Sequence, residues 1–489
     1  MEGLVSSMNI KKIIGVLEEN NLLVSSFDYD FDVNYLSYDS RDIKKDTLFI
    51  CKGVKFKEEY LVNSISSGVV CYISENLYSV NIPGIIVNDI RKALALLSYL
   101  FYPDNLFKIG ITGTKGKTTT NYFIHNILKN HLGYRPGIIA THSYYDGNVE
   151  GENHLTTPES LELHKYLNTM SNCGLKYMSM EVSSQATKHD RVFGMDFDIG
   201  VFLNISEDHI STLEHPDFED YFSSKLEFLK LCNKVIVFNE TDYYDRVLEA
   251  ISGKEVITFG YSDADYVIRN IKNNGNLSFE LFDGEVSEVY EIAMPGRFNI
   301  VNAVSAIIIG KCLGVSYKDI CLGLMETFVS GRMNVIDWEI CPVIVDYAHN
   351  KLSAEALYKS LKEDYPDRKI KVVFGCPGDK GFNRRSEMGE LAGKYADYVY
   401  LTSEDPGNSS VLSICDDIIE SISKYHNNYE VIIDREDAIS KALTDANNSD
   451  VIALLGKGDE NYQIVGNEYI PYETDKVIVE RFISKVGVK

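Results

Sequence analysis

The chain has 489 residues, too many for one hydrophobic core, so length alone predicts about three domains. Hydrophobic residues make up 45% and charged residues 25%, the balance of a globular protein that folds in water. A net charge of −24 argues against sequence-independent binding to nucleic acid or to an anionic membrane, since both need a basic surface. A nucleotide substrate stays open, because local cations and backbone amides act at shorter range than the global field. No N-terminal stretch reads as a secretory leader, and no apolar run reaches the ~20 residues of a membrane span. The nine cysteines include no C-x-x-C pair, which indicates neither a zinc site nor a disulfide framework. The expected address is the cytoplasm, with no membrane insertion.

Taken in chain order, short apolar runs at 47–51 and 69–73, broken by charged turns, predict a small α/β unit over residues 1–105. A second unit opens with the apolar stretch 107–112, a strand running into a glycine-rich turn. Phe123, Ile127 and Leu128 recur at helical spacing and predict a helix over 118–130. Strand-like runs at 177–182, 199–203 and 234–238, with helical stretches between them, predict a doubly wound, mostly parallel sheet within residues 106–331. Near Gly331 the pattern restarts. Runs at 343–345, 371–374, 398–401 and 451–455 alternate with helical segments and predict a Rossmann-like α/β domain over 332–489. The expected fold class is therefore α/β in three domains, without internal repeats.

The turn after the first of these central strands reads Gly110-Ile111-Thr112-Gly113-Thr114-Lys115-Gly116-Lys117-Thr118-Thr119. Glycines let a backbone turn its N–H groups toward phosphate, and the following helix N-terminus adds partial positive charge. Lys117 is placed to reach the terminal phosphates, and the Thr118 hydroxyl to ligate Mg²⁺. The common pattern wants glycine at position 111, where this chain has Ile111. The strand-before, helix-after context still marks Gly113, Thr114, Lys115, Gly116, Lys117, Thr118 and Thr119 as a nucleoside triphosphate site rather than a plain turn.

Further blocks follow in a fixed order: Thr156-Thr157-Pro158, Glu181-Val182-Ser183-Ser184-Gln185, Asp208-His209 with Lys225, and Gly296-Arg297-Phe298-Asn299-Ile300-Val301-Asn302. Then come Gly331-Arg332, Asp346-Tyr347-Ala348-His349 and Gly456-Lys457-Gly458-Asp459-Glu460, with Asp39-Ser40-Arg41 near the start. With the loop variant T-G-T-x-G-K-T-T, this series resembles the Mur ligases over essentially the whole chain. The nearest branch is MurE, which adds the third peptide residue to UDP-N-acetylmuramoyl-L-alanyl-D-glutamate. The resemblance implies an ATP-dependent amide ligase of peptidoglycan precursor synthesis, working through an acyl phosphate. It also implies an N-terminal UDP-binding domain, a central ATPase domain, a C-terminal amino-acid domain, use of two Mg²⁺ ions, and a monomer. Its partners would be the UDP-linked muramoyl dipeptide and a free amino acid.

Residue roles follow from the same resemblance. Glu181, ending an apolar strand beside the phosphate loop, would hold Mg²⁺ together with Thr118. His209 would ligate a second ion. Lys225 matches the lysine that the family carbamylates, which turns a cation into an anion able to orient metal. Lys117 and Arg332 would neutralise phosphate, Asn302 would read the adenine, and Asp346 with His349 would line the nucleotide. Ser40, Thr156, Thr157, Ser183, Ser184 and Arg191 would contact the UDP-muramoyl dipeptide. Gln185 stands where most of the branch has histidine.

The amino-acid site departs from the diaminopimelate-adding enzymes, whose D-N-P-R arginine grips the distal carboxylate. Here the stretch is Glu404-Asp405-Pro406-Gly407-Asn408, so that arginine is missing, and a buried distal carboxylate would lack a partner. Glu404, Asp405 and Glu460 would form an acidic end suited to the ammonium of lysine or ornithine. Lys380 replaces the family arginine that clamps the α-carboxylate, with Arg384 or Arg385 as substitutes. Alternatives are the same ligase specific for meso-diaminopimelate, a folylpolyglutamate-synthase-like ligase, and a non-catalytic nucleotide-binding regulator.

Overall fold

A computed structural model describes residues 7–53, 56–141, 143–153, 155–208, 210–211 and 214–486. Near the N-terminus, strands Tyr35–Ser37, Thr47–Ile50, Val69–Ser74 and Gly84–Val87 are parallel neighbours, and Leu23–Ser25 pairs antiparallel with the last of them. Thr47–Ile50 is buried at every position, as expected of a parallel strand covered on both faces. Helix Ile90–Phe101 begins at Asp89, whose carboxylate accepts the N–H groups of Arg91 and Lys92 at 3.1 Å. It buries Leu94, Leu97 and Phe101 against the sheet.

Eleven strands form the central sheet. Its parallel heart runs Gly137–Ile139, Tyr177–Glu181, Phe107–Thr112, Phe197–Phe202, Cys232–Phe238, Glu255–Gly260 and Tyr266–Asn273 in spatial order. Ile109 and Ile111 pack with Phe123, Ile124 and Ile127 of helix Lys117–Leu132 and with helix Phe298–Cys312. Met178 and Met180 pack on the other side with helices Ser160–Asn172 and Phe218–Lys230. Helices on both faces make the sheet doubly wound, as the alternation predicts. Each fully buried Ile, Met or Phe contributes about 1.5–3 kcal/mol, so this two-sided core holds the phosphate loop on rigid supports. Antiparallel strands absent from the sequence reading extend both edges: Ser143–Tyr145 with Glu150–Glu152, and Leu277–Phe282 with Ser287–Ile292.

The third sheet has the order Asn334–Ile336, Val343–Asp346, Asp450–Leu455, Lys369–Phe374, Tyr398–Leu401 and Tyr429–Val431, parallel except at its first strand. Helices Lys351–Asp364, Asn383–Tyr395 and Val411–Ile422 cover one face, and Arg435–Thr444 with Asp475–Val486 cover the other. A separate hairpin, Tyr462–Val465 with Glu468–Pro471, lies beyond the sheet. No helix among the described residues is long and apolar enough to cross a membrane.

Candidate functional site

The phosphate loop joins strand Phe107–Thr112 to helix Lys117–Leu132, whose N-cap is Gly116. Three hydrogen bonds with Asn204, just past the neighbouring strand Phe197–Phe202, fix its path. Asn204 accepts the Lys115 N–H at 2.9 Å and donates to the Lys115 carbonyl at 3.0 Å, while the Thr114 N–H donates to the Asn204 carbonyl at 3.0 Å. Gly116 has φ +87°, and a Cβ there would stand 2.2 Å from Asn302 Oδ1. Gly116→Ala therefore meets both a left-handed backbone, costing about 1–2 kcal/mol, and a clash with the Asn302 amide. The expected result is a rise of about tenfold or more in the KM for ATP, read from initial rates at varied nucleotide. Asn302 in turn donates to Asn299 Oδ1 at 2.9 Å.

Two lysines converge on one carbonyl of this loop. Lys117 Nζ donates to Gly113 O at 2.8 Å and to Thr114 O at 3.2 Å, and Lys225 Nζ donates to the same Gly113 O at 2.9 Å. Burial, followed by the charge of Lys117, pushes the Lys225 ammonium well below the ordinary lysine range. Burial likewise lowers Lys117, with Glu181 and Asp208 opposing and Arg332 assisting. Lys115 is pushed down to about 8 by burial, partly offset by Asp208. A cleft of such cations is poised to gain its full charge when phosphate arrives. Glu181, fully buried at the end of its strand, accepts from Thr141 N and Thr141 Oγ1, each at 2.9 Å.

Thr118 lies in the first turn of the helix and is half-buried, and Thr119 is buried beside it. No group of three His, Cys, Asp or Glu side chains that could cage a metal occurs among the described residues. One hydroxyl and one carboxylate nevertheless fit Mg²⁺, which keeps most of its waters and takes substrate phosphate oxygens rather than a full protein cage. His209 lies outside the described residues.

The C-terminal domain closes on this cleft. Asp208 accepts from Arg384 Nη2 at 2.9 Å and from Asn350 Nδ2 at 2.6 Å, with Lys115 Nζ at 3.5 Å. Asn350 also caps helix Lys351–Asp364 through Ser353. The Arg332 guanidinium lies over the Tyr347 ring, 4.4 Å from its centre. Both Asp346 carboxylate oxygens accept backbone N–H groups, from Met333 at 2.6 Å and Ala348 at 2.7 Å, which braces the segment carrying Arg332. His349 Nδ1 meets the Tyr347 carbonyl at 2.8 Å. Burial and the cations Lys115 and Arg384 push its ring well below the ordinary histidine range, leaving it neutral near pH 7.

On the opposite side, Thr157 Oγ1 donates to the Glu181 carbonyl at 2.9 Å and accepts the Ser183 N–H at 3.1 Å. Arg191 donates to Thr157 O at 3.1 Å and to Glu159 Oε1 at 2.8 Å. Glu159 also pairs with Lys52 of the N-terminal domain. Thr156 is half-buried beside them. Ser183 caps the short helix Ser184–Lys188. Ser184 Oγ lies 2.9 Å from His215 Nε2, and His215 Nδ1 lies 2.6 Å from Asp220 Oδ2. His215 is fully buried and Ser184 nearly so, which makes the pair an orienting device for Ser184. A cavity of about 610 Å³ opens at the carboxyl ends of the N-terminal parallel strands, lined by Lys52, Phe56, Tyr78, Asn88, Arg91 and Asp190 among others. Such an edge is where ligands of α/β sheets bind. Ser40 follows the neighbouring strand and is not among the described lining residues.

The three acids of the expected amino-acid pocket do meet, but they are not alike. Lys457, fully buried, donates to Asp405 Oδ1 at 2.9 Å and pairs with Glu460 Oε2 at 2.7 Å. Glu460 Oε1 also accepts the Tyr347 hydroxyl at 2.9 Å. Glu404, only 7% exposed, accepts no hydrogen bond and joins no ion pair among the described residues. Lys380 is exposed. Both arginines expected to replace it already make contacts: Arg384 donates to Asp208, and Arg385 to Asp417 at 2.7 Å and the Gly378 carbonyl at 2.8 Å. Gly407, at φ +53°, packs so closely on Asp379 that a Cβ would lie 2.2 Å from Oδ2.

Comparison with known proteins matches residues 111–310 to the Mur ligase middle domain and residues 331–458 to the Mur ligase glutamate ligase domain. The chain belongs to the Mur ligase family. A UDP-N-acetylmuramoyl-L-alanyl-D-glutamate–L-lysine ligase of Streptococcus agalactiae serotype Ia is 40% identical over 459 residues, covering 92% of this chain and 93% of that protein. The protein of the same description from Enterococcus faecalis is 39% identical over 469 residues, 93% of this chain and 92% of its own. A solved UDP-N-acetylmuramoyl-L-alanyl-D-glutamate–2,6-diaminopimelate ligase superposes with a TM-score of 0.68 at 24% identity, over 98% of this chain and 99% of that one. It shares the three-domain α/β fold.

The sequence motifs of this Mur ligase place the glycine-rich loop and the strand-end carboxylate, but give no part to Lys457, Asn350 or His215. Lys457 lies inside the Gly456-Lys457-Gly458-Asp459-Glu460 block. Its burial between two acids was the missing signal, and that is a tertiary property.

Proposed function

We propose that this Mur ligase couples ATP cleavage to amide formation, adding L-lysine or another basic diamino acid to UDP-N-acetylmuramoyl-L-alanyl-D-glutamate in peptidoglycan precursor synthesis. The observation that carries the reading is Glu404, a buried residue whose carboxylate has no hydrogen bond or ion pair among the described residues, in a loop that lacks the arginine of diaminopimelate-adding enzymes. Relatives near 40% identity across more than nine-tenths of both chains are described as L-lysine ligases, which supports the same choice.

In this reading the N-terminal cavity takes the uridine end, with Lys52 and Arg91 toward the diphosphate. Thr156, Thr157, Ser183, Ser184 and Arg191 orient the dipeptide so that its free carboxylate faces the phosphate loop. Lys117 and Arg332 stabilise charge on the phosphoryl group as it moves to that carboxylate. Thr118 and Glu181, with His209, would hold Mg²⁺, which neutralises phosphate oxygens when bound. Burial pushes the Lys225 ammonium well below the ordinary lysine range, which favours the free amine that carbamate formation with CO₂ requires. Closure through Asp208, Arg384 and Asn350 excludes water from the acyl phosphate until the amine attacks.

Burial, with Asp405 adding to it, raises the Glu404 carboxyl to about 7 against the pull of Arg435, Lys457 and Arg384. An ammonium binds the ionised form. Below pH 7 a proton must leave before lysine binds, so the KM for lysine is expected to rise about tenfold per pH unit lost. Above pH 7 the dependence flattens. A lysine KM that does not change between pH 8 and pH 6 would remove Glu404 from this role.

The identity of the amino acid is tested by competition. The enzyme is given ATP, Mg²⁺, the UDP-dipeptide and equal lysine, ornithine and meso-diaminopimelate, and the mass of the UDP-tripeptide is read. The lysine or ornithine product is expected to dominate, whereas a dominant diaminopimelate product would reject the acidic-pocket reading.

A further inference from the structure

Resting on the ligase reading above, we propose that Glu159 is a positioning residue that couples the two ends of the UDP-dipeptide. It shares one carboxylate between a cation of the uridine end and a cation of the peptide end. Its Oε2 pairs with Lys52, which lines the cavity of the N-terminal domain. Its Oε1 accepts from Arg191 Nε of the central domain at 2.8 Å. Against burial, these two cations hold the Glu159 carboxyl below the usual glutamate range. Glu159 is also the N-cap of helix Ser160–Asn172, a place where a side chain ordinarily accepts a backbone N–H of the first turn. It makes no such bond, so among the described residues its carboxylate serves the two cations alone.

Arg191 shows what this contact achieves. Its Nη1 donates to the Thr157 carbonyl at 3.1 Å, and Thr157 Oγ1 donates to the carbonyl of Glu181. Two guanidinium nitrogens are thus fixed, and Nη2 has no hydrogen bond among the described residues, which leaves a donor for a substrate carboxylate. The same turn faces the cavity. Asp190, at φ +56°, lines it, and His189 Nδ1 lies 2.6 Å from Nη1 of Arg91, another lining residue. A diphosphate in the cavity competes with Glu159 for Lys52. As Lys52 turns to phosphate, Glu159 is left wholly to Arg191, whose guanidinium is then held more firmly where the dipeptide arrives. Occupancy of the nucleotide end thereby favours the peptide end, and the linkage runs equally in reverse.

Calorimetric titration with UDP and with UDP-N-acetylmuramoyl-L-alanyl-D-glutamate, without ATP, separates the two ends. In Glu159→Gln, which keeps the side-chain volume, Lys52 is released and UDP is expected to bind about threefold more tightly. Arg191 loses its charged partner, which removes about tenfold from the dipeptide arm, so the whole UDP-dipeptide binds about threefold more weakly. A damaged fold would weaken both ligands and cannot give these opposite signs. Lys52→Met is expected to weaken UDP about tenfold, and adding Glu159→Gln to it should then tighten UDP no further. The proposal is overturned if Glu159→Gln fails to tighten UDP, if it leaves the UDP-dipeptide as tightly bound as in wild type, or if the gain persists without Lys52. If Lys52→Met and Arg91→Met both bind UDP as the wild type does, the uridine end does not occupy this cavity, and that reading falls together with the proposal.

Discussion

Lys117→Ala is expected to lower kcat by about 10³-fold, with the protein remaining folded. The side chain begins at the first residue of the helix and folds back on Gly113 and Thr114, so no other part of the fold hangs on it. Removing it leaves the strand, the helix and their core intact, including Ile109, Ile111 and Phe123. What goes is a cation whose charge is held down by burial and becomes fully favourable only when phosphate enters. An interaction of that kind strengthens as charge develops on the phosphoryl group, so it appears in kcat rather than in KM alone. ADP formation above about one-tenth of the wild-type rate in a folded Lys117→Ala protein would reject the phosphate-loop assignment.

Lys225→Ala is expected to cost about 10²–10³-fold in kcat and to be partly rescued by formate or acetate. The residue is 2% exposed and shares the Gly113 carbonyl with Lys117. Two ammonium groups on one carbonyl repel each other. Burial is the larger effect, and with that repulsion it pushes the Lys225 ammonium well below the ordinary lysine range. An uncharged amine adds CO₂ with loss of one proton to solvent, and the resulting carbamate would reverse the sign of the charge beside Lys117 and relieve the repulsion. A small carboxylate diffusing into the space left by alanine supplies the same negative charge. Rescue by none of a series of short carboxylic acids, at any concentration that the wild type tolerates, would remove the carbamate from the account. Mass spectrometry of the intact wild type under bicarbonate checks the modification independently.

Most of what made the fold legible was local. The stretch Phe107–Thr112 followed by glycines and a helical pattern is a contiguous signal, and the structure has the helix at Lys117–Leu132, within two residues of the expected ends. The strands at the heart of the central and C-terminal sheets were readable because parallel strands buried on both faces are unbroken apolar runs. The antiparallel edge was missed for the opposite reason. In Leu277–Phe282 only Leu277, Phe279 and Leu281 are buried, so the strand alternates and carries no run.

At the site, motif residues at strand ends are legible in the sequence, and contacts between distant segments are not. Asp208 meets Arg384 across 176 positions, and Lys457 meets Asp405 across 52. No spacing rule relates such pairs. The same limit applies to the partners of Arg384 and Arg385. Both stand in the right segment, but one turns to the central domain and the other caps its own loop.

The measurement that bears most directly on the account is ADP release by the purified protein with ATP, Mg²⁺ and UDP-N-acetylmuramoyl-L-alanyl-D-glutamate, each amino acid being supplied alone. The account predicts sustained release with lysine or ornithine, little with meso-diaminopimelate, and none when the UDP-dipeptide is omitted. Release that is independent of the UDP-dipeptide, or absent with all three amino acids, would contradict it.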